Sequence, residues 1–221
     1  MKKFLILFLT TGLISAGSCG QRTVTTSDHI ASFGEGGQLK MLYDRRQRPQ
    51  SVFLNGKVHI VFNAGGEPGA PARSPTKPMA VTYDPATREF SDIVTLGPGD
   101  RDHHYGPVIW ADKDDHLHVL YGCHSTPGTH LISKEPGQIG RGPGDWTTGP
   151  EIAPKISYPT TYRVLDGQQL IYYRTAGHIS SWTYRLSEDN GKTWTGPEKD
   201  VIDLDSKGRF EWSSYHCTWP S

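Results

Sequence analysis

Apolar and polar residues alternate in three short runs, each opening on a turn and closing on an aromatic ring. They are Asn55-Gly56-Lys57-Val58-His59-Ile60-Val61-Phe62, Asp115-His116-Leu117-His118-Val119-Leu120-Tyr121 and Asp166-Gly167-Gln168-Gln169-Leu170-Ile171-Tyr172-Tyr173. A period of two over so few residues predicts strands with one face toward a core. Shorter apolar runs precede them at 51–54, 107–110 and 161–165, and others follow at 79–83, 130–133 and 180–185. A Trp- or Phe-bearing segment closes each unit, at 90–96, 146–152 and 194–197. The pattern predicts three four-stranded units, at about 48–98, 103–153 and 157–202, and the start of a fourth at 211–219. No amphipathic helical pattern of useful length follows the N-terminus, so the fold class is all-β.

Composition agrees: 25 glycines, 16 prolines, six Trp and ten Tyr favour short strands and many turns. With 23 basic and 23 acidic residues, charge supports neither a nucleic-acid partner nor electrostatic attachment to a membrane. The first residues change the picture of location. Lys2 and Lys3, an apolar stretch at 4–9, and Ala16-Gly17-Ser18 before Cys19 have the layout of a signal peptide over 1–18. Cys19 is then a candidate lipoprotein-type anchor to the outer membrane, and the mature protein is expected to be secreted or to sit at the cell surface or in the periplasm. Residues 19–47 read as a linker and first strand, and 48–221 as one partial domain. The spacing of Cys123 and Cys217 makes no strong case for a disulfide.

Ser187-Glu188-Asp189-Asn190-Gly191-Lys192-Thr193-Trp194 matches Ser-x-Asp-x-Gly-x-Thr-Trp throughout. It resembles the Asp-box, the turn between outer strands of β-propeller blades in sialidases and their relatives. The resemblance implies a β-propeller of four-stranded blades. Propellers close with four to eight blades, so three blades and the start of a fourth are expected to be the N-terminal part of a longer ring. The Asp-box marks architecture, and the chemistry must come from other residues.

Four side chains recur at matching places. His104 opens the second unit and His124 ends the strand that follows; Tyr158 and Arg174 hold those positions in the third. Singly, each has an ordinary structural explanation, but packing alone has no reason to repeat titratable groups at equivalent positions. His104-Tyr105-Gly106-Pro107, His124 twenty residues on, and Tyr158 and Arg174 sixteen apart resemble the propeller-type ulvan lyases. These sit within a wider group of BNR-repeat-containing bacterial proteins, and the likeness covers about 48–219.

It implies a seven-bladed propeller that cleaves a uronic-acid-containing polysaccharide by β-elimination. His104, His124 and Tyr158 would be the acid/base set and Arg174 the carboxylate clamp, with Tyr215, His103 and Tyr105 as further substrate contacts. The residue types suit that chemistry. The C5 proton of a uronate is removable only when the neighbouring carboxylate is neutralised, and a guanidinium forks onto two oxygens. Histidine offers an unprotonated state near neutral pH. Tyr158 could protonate the departing O4 or, lowered in pKa by Arg174, act as base; the residues leave the choice open. No cofactor is needed for catalysis, and His178, His216 and Cys217 are a candidate ligand set for a structural zinc. His116 and His118 share a strand face beside Asp114 and Asp115 and are expected to be solvated.

Two other functions compete. A non-catalytic glycan-binding propeller would use the same aromatics and imidazoles without reaction. An exo-sialidase would need three arginines around a sialate, but no Arg-Ile-Pro entry motif is present, and Arg45, Arg46 and Arg48 precede the first unit.

Overall fold

Antiparallel pairing of the alternating runs builds three successive sheets in a computed structural model, which describes residues 48–65, 75–102, 104–175, 181–197 and 201–202. The first sheet has the order β1 (Ser51–Leu54), β2 (Lys57–Ala64), β3 (Lys77–Asp84), β4 (Glu89–Phe90), with β5 (Val94–Thr95) also on β3. It thus has five strands where four are predicted. Asn55-Gly56 makes the β1–β2 hairpin with φ of 50° and 79°, and Leu54 pairs with Lys57. Two positive φ values in a two-residue loop match the twist of the flanking strands.

The second sheet runs β6 (Val108–Ala111), β7 (Leu117–Tyr121), β9 (Thr129–Ser133), β10 (Trp146–Thr148). The third is ordered β8 (His124–Thr126), β11 (Ile156–Arg163), β12 (Gln169–Arg174), β13 (Trp182–Ser187). Here the structure corrects the sequence reading. His124 is expected to end the strand that begins at Leu117, but that strand stops at Tyr121, and Gly122 turns the chain away with φ 77°. His124 instead opens β8, which pairs with β11 of the third sheet. Among the described residues, the closing segment of the third unit contributes only single bridges, Leu186 to Thr195 and Trp182 to Ile202. The predicted fourth unit at 211–219 lies outside the described residues. None of the described helical turns is long and apolar enough to cross a membrane.

Strand alternation explains how the sheets stack. Ile109, Ala111, Leu117 and Val119 join Val61, Ala80, Leu96 and Trp146 in one core. Val108, Trp110 and Leu120, from the other face of the same strands, join Ile156, Ile171 and Tyr173 in a second. The middle sheet is therefore buried on both faces, and this overturns the expected solvation of His118. That ring is fully buried: it stacks on Trp110 at 5.1 Å, its Nδ1 lies 2.9 Å from His130 Nε2, and its Nε2 lies 3.2 Å from Asp112 Oδ2. Burial is the leading reason both imidazoles have lowered pKa values, His130 down to about 3. Cys123 is a free thiol buried in the second core, and burial pushes its pKa up.

The Asp-box forms the turn its sequence predicts. Asp189 Oδ1 accepts the amides of Lys192 and Thr193 at 3.1 and 2.9 Å, and Ser187 Oγ accepts that of Gly191 at 2.8 Å. Trp194 folds back and donates its indole N–H to the Gly191 carbonyl at 3.1 Å. Gly191 is required twice over: its φ is 76°, and a Cβ there would lie 2.8 Å from His118 Cε1.

His59 gives the fold a pH dependence. It is 1% exposed, its Nδ1 lies 2.9 Å from Thr82 Oγ1, and its Nε2 has no hydrogen-bond partner among the described residues. Burial first, then the Lys57 charge, push its pKa down from 6.5 to about 4. The fold thus prefers the neutral ring, so this stabilisation is complete above about pH 6.5 and is lost as pH falls toward 4. Chemical denaturation should show about 2 kcal/mol of His59-dependent loss between pH 7 and 5. His59→Gln should flatten the slope by that amount; an unchanged slope would count against a buried neutral ring.

Candidate active site

Three adjacent strands bring the third-sheet residues into one row. Ser157 on β11 pairs with Arg174 of β12 on one side and with His124 of β8 on the other. Directly opposed residues share a sheet face, with strands about 4.8 Å apart, so His124, Ser157 and Arg174 point the same way. In a regular strand Tyr158 would point to the opposite face. Instead the register shifts between Ser157 and Thr160, and Tyr158 takes φ 55°. A bulge of this kind re-aims a side chain, and the phenol ring turns back onto the row. Its centroid lies 4.6 Å from Arg174 Cζ and 6.2 Å from the His124 ring. A bulky residue at positive φ, just before Pro159, costs on the order of 1 kcal/mol.

His104 arrives from the loop between β5 and β6. Asp100 Oδ1 accepts the Asp102 amide at 2.7 Å, and Asp102 Oδ1 accepts the His104 amide at 3.0 Å. This double turn sets the His104 ring 4.1 Å from that of His124, stacked, and 5.9 Å from Tyr158, edge-on. His104, His124, Tyr158 and Arg174 thus form one cluster between the β5–β6 loop and the third sheet. Within it the histidine side chains are 16% and 30% exposed, whereas Tyr158 and Arg174 are 2% and 1% exposed as residues.

The residue missed by sequence reasoning is Asp102. One oxygen lies 2.5 Å from His104 Nδ1 and the other 2.7 Å from His124 Nδ1. Burial pushes its carboxyl pKa up, but the His104 amide and the two imidazoles together outweigh burial and hold it at about 2. The Asp-x-His spacing was a signal for the first contact, since an Asx turn reaches two residues on. Nothing local pointed to the second contact, 22 residues away.

Beside Asp102 lies a cavity of about 270 Å3 whose walls include Asn63, Thr76, Tyr105, Tyr121 and Thr126. Burial, then the charges of Asp100 and Asp102, raise the pKa of Tyr105. Donor atoms of Asp102, His104 and His124 fall within 4.8 Å of one another, a spacing that could also hold a metal, although the two short contacts have the length of N–H···O bonds. His103, Tyr215 and the zinc candidates His178, His216 and Cys217 lie outside the described residues.

Solved structures share this arrangement of sheets. An ulvan lyase of the PL25 family superposes with a TM-score of 0.57 at 22% identity, over 71% of this chain and 38% of that one. A second structure of that kind, bound to -[GlcA(1-4)Rha3S]-, superposes equally well at 21% identity over the same shares. Polysaccharide lyase Uly1 gives 0.57 at 13% identity, over 85% and 48%. In sequence, the ulvan lyase of Alteromonas sp. (strain LOR) is 25% identical across 68% of this chain and 33% of that enzyme. The corresponding enzyme of Nonlabens ulvanivorans is 23% identical across 81% and 40%. Another, from Pseudoalteromonas sp. (strain PLSV), is 23% identical across 89% and 43%. The chain therefore spans about a third to two fifths of the length of the curated relatives it matches. It is an all-β protein similar in sequence to these ulvan lyases. Residues 74–210 match the BNR repeat-containing family, and the chain belongs to that family.

Proposed function

We propose that this chain carries the catalytic side chains of a lyase that cleaves a uronic-acid-containing, ulvan-like polysaccharide by β-elimination. The observation behind this reading is the convergence of two imidazoles, a phenol and a guanidinium, with both histidines partly exposed. A base in the set takes the C5 proton, the electron pair forms the C4–C5 double bond, and the C4–O4 bond breaks as an acid protonates O4. Arg174 neutralises the carboxylate that shares the charge of the intermediate. Because Arg174 is 1% exposed, that contact requires the site to open as the sugar enters. The remaining ring of a β-propeller, the secretion signal over 1–18 and the anchor at Cys19 belong to the same proposal, and an extracellular polysaccharide suits that location.

The same burial favours a second reading, in which the partly exposed histidines and the cavity beside Asp102 bind glycan without reaction. Incubation with ulvan and with a uronate-free polysaccharide separates the two. Elimination gives a near-ultraviolet absorbance with ulvan alone, whereas a binder is retarded on an ulvan gel and yields no absorbance.

A further inference from the structure

We infer that Asp102 is the positioning residue of this site: one carboxylate that fixes both His104 and His124 as Nδ1–H tautomers, so that each presents Nε2 to a bound sugar. The kinetic consequences rest on the elimination reading; the tautomers do not. Proton counting fixes the tautomers. An ionised carboxylate only accepts hydrogen bonds, and Asp102 stays ionised at any pH well above about 2. Its two oxygens lie 2.5 and 2.7 Å from the two Nδ1 atoms. Both Nδ1 atoms must then carry protons, and a neutral imidazole so held keeps its lone pair on Nε2.

Asp102 is itself held, by its backbone amide on Asp100 and by the His104 amide on Oδ1. The two rings stack at 4.1 Å, so the one carboxylate holds both imidazoles side by side. Tyr158 faces both rings, and Arg174 lies over the Tyr158 ring, so Asp102 is the carboxylate in direct contact with both imidazoles.

The test is long-range 1H–15N NMR on 15N-histidine protein, combined with kinetics of Asp102→Asn and Asp102→Glu on ulvan. The wild type should show His104 and His124 with Nδ1 protonated and Nε2 unprotonated when neutral. In Asp102→Asn, whose amide can donate, at least one ring should switch to Nε2–H. kcat should then fall about 10²- to 10⁴-fold with a smaller change in KM. Asp102→Glu should recover part of kcat. Either wild-type ring with Nε2–H, unchanged tautomers in Asp102→Asn, or stoichiometric transition metal lost with Asp102 would overturn the inference. Tautomers that switch in a protein without lyase activity would uphold Asp102 and remove the elimination reading. Full lyase activity in Asp102→Asn would do the reverse.

Discussion

Arg174→Met should lower the formation of unsaturated product about 10³-fold while leaving the circular dichroism of the sheets unchanged. Methionine keeps most of the volume at a site that is 1% exposed, so the loss would report charge rather than a cavity. Removing one preorganised group that stabilises developing charge costs about 10²- to 10³-fold, and the carboxylate next to C5 carries most of the charge here. The fall should lie in kcat more than in KM, because the clamp matters most once the proton has left. Arg174→Lys keeps the charge without the fork and should recover only part of the rate. Unchanged turnover in Arg174→Met would take Arg174 out of the chemistry and leave it a structural partner of Tyr158, whose ring it covers at 4.6 Å.

A large stability effect is expected at Trp110. The ring is 3% exposed, stacks on His118 and His130 at 5.1 and 5.5 Å, and meets Trp194 of the Asp-box edge-on at 6.5 Å. Its indole N–H donates to Gln169 Oε1 at 2.8 Å, and Gln169 Nε2 already lacks a partner among the described residues. Trp110→Ala should destabilise by about 3–5 kcal/mol and lower Tm by roughly 10 °C. Trp110→Phe, which fills most of the space but leaves the buried Gln169 oxygen unpaired, should cost about 1–3 kcal/mol. A loss below about 1 kcal/mol in Trp110→Ala would mean that the second and third sheets do not depend on this ring.

How legible all this was in the chain differs from element to element. The strands β2, β7 and β12 were read from their alternation, because each packs an apolar face and opens on a turn with positive φ, at Asn55, Asp115 and Asp166. The Asp-box was legible as a turn, because the hydrogen bonds that close it run between residues at most four apart. His118 was misread because alternation predicts one wet face, and the middle sheet has none. His124 was assigned to the wrong strand because Gly122 ends β7 through a backbone angle that no hydrophobic pattern encodes. Asp102 went unnoticed because its importance arises from a contact between a loop and β8. His104, His124, Tyr158 and Arg174 were singled out from repetition between units, yet Tyr158 joins them through a bulge.

The central claim is that these side chains break a glycosidic bond by removing a proton, and the mass balance of cleavage tests it most directly. Ulvan oligosaccharide of defined length would be digested and its fragments weighed. The account predicts fragments whose masses sum to that of the substrate, one of them bearing the near-ultraviolet absorbance of a C4–C5 double bond. Fragments whose masses sum to the substrate plus one water, without that absorbance, would mean hydrolysis and would contradict it.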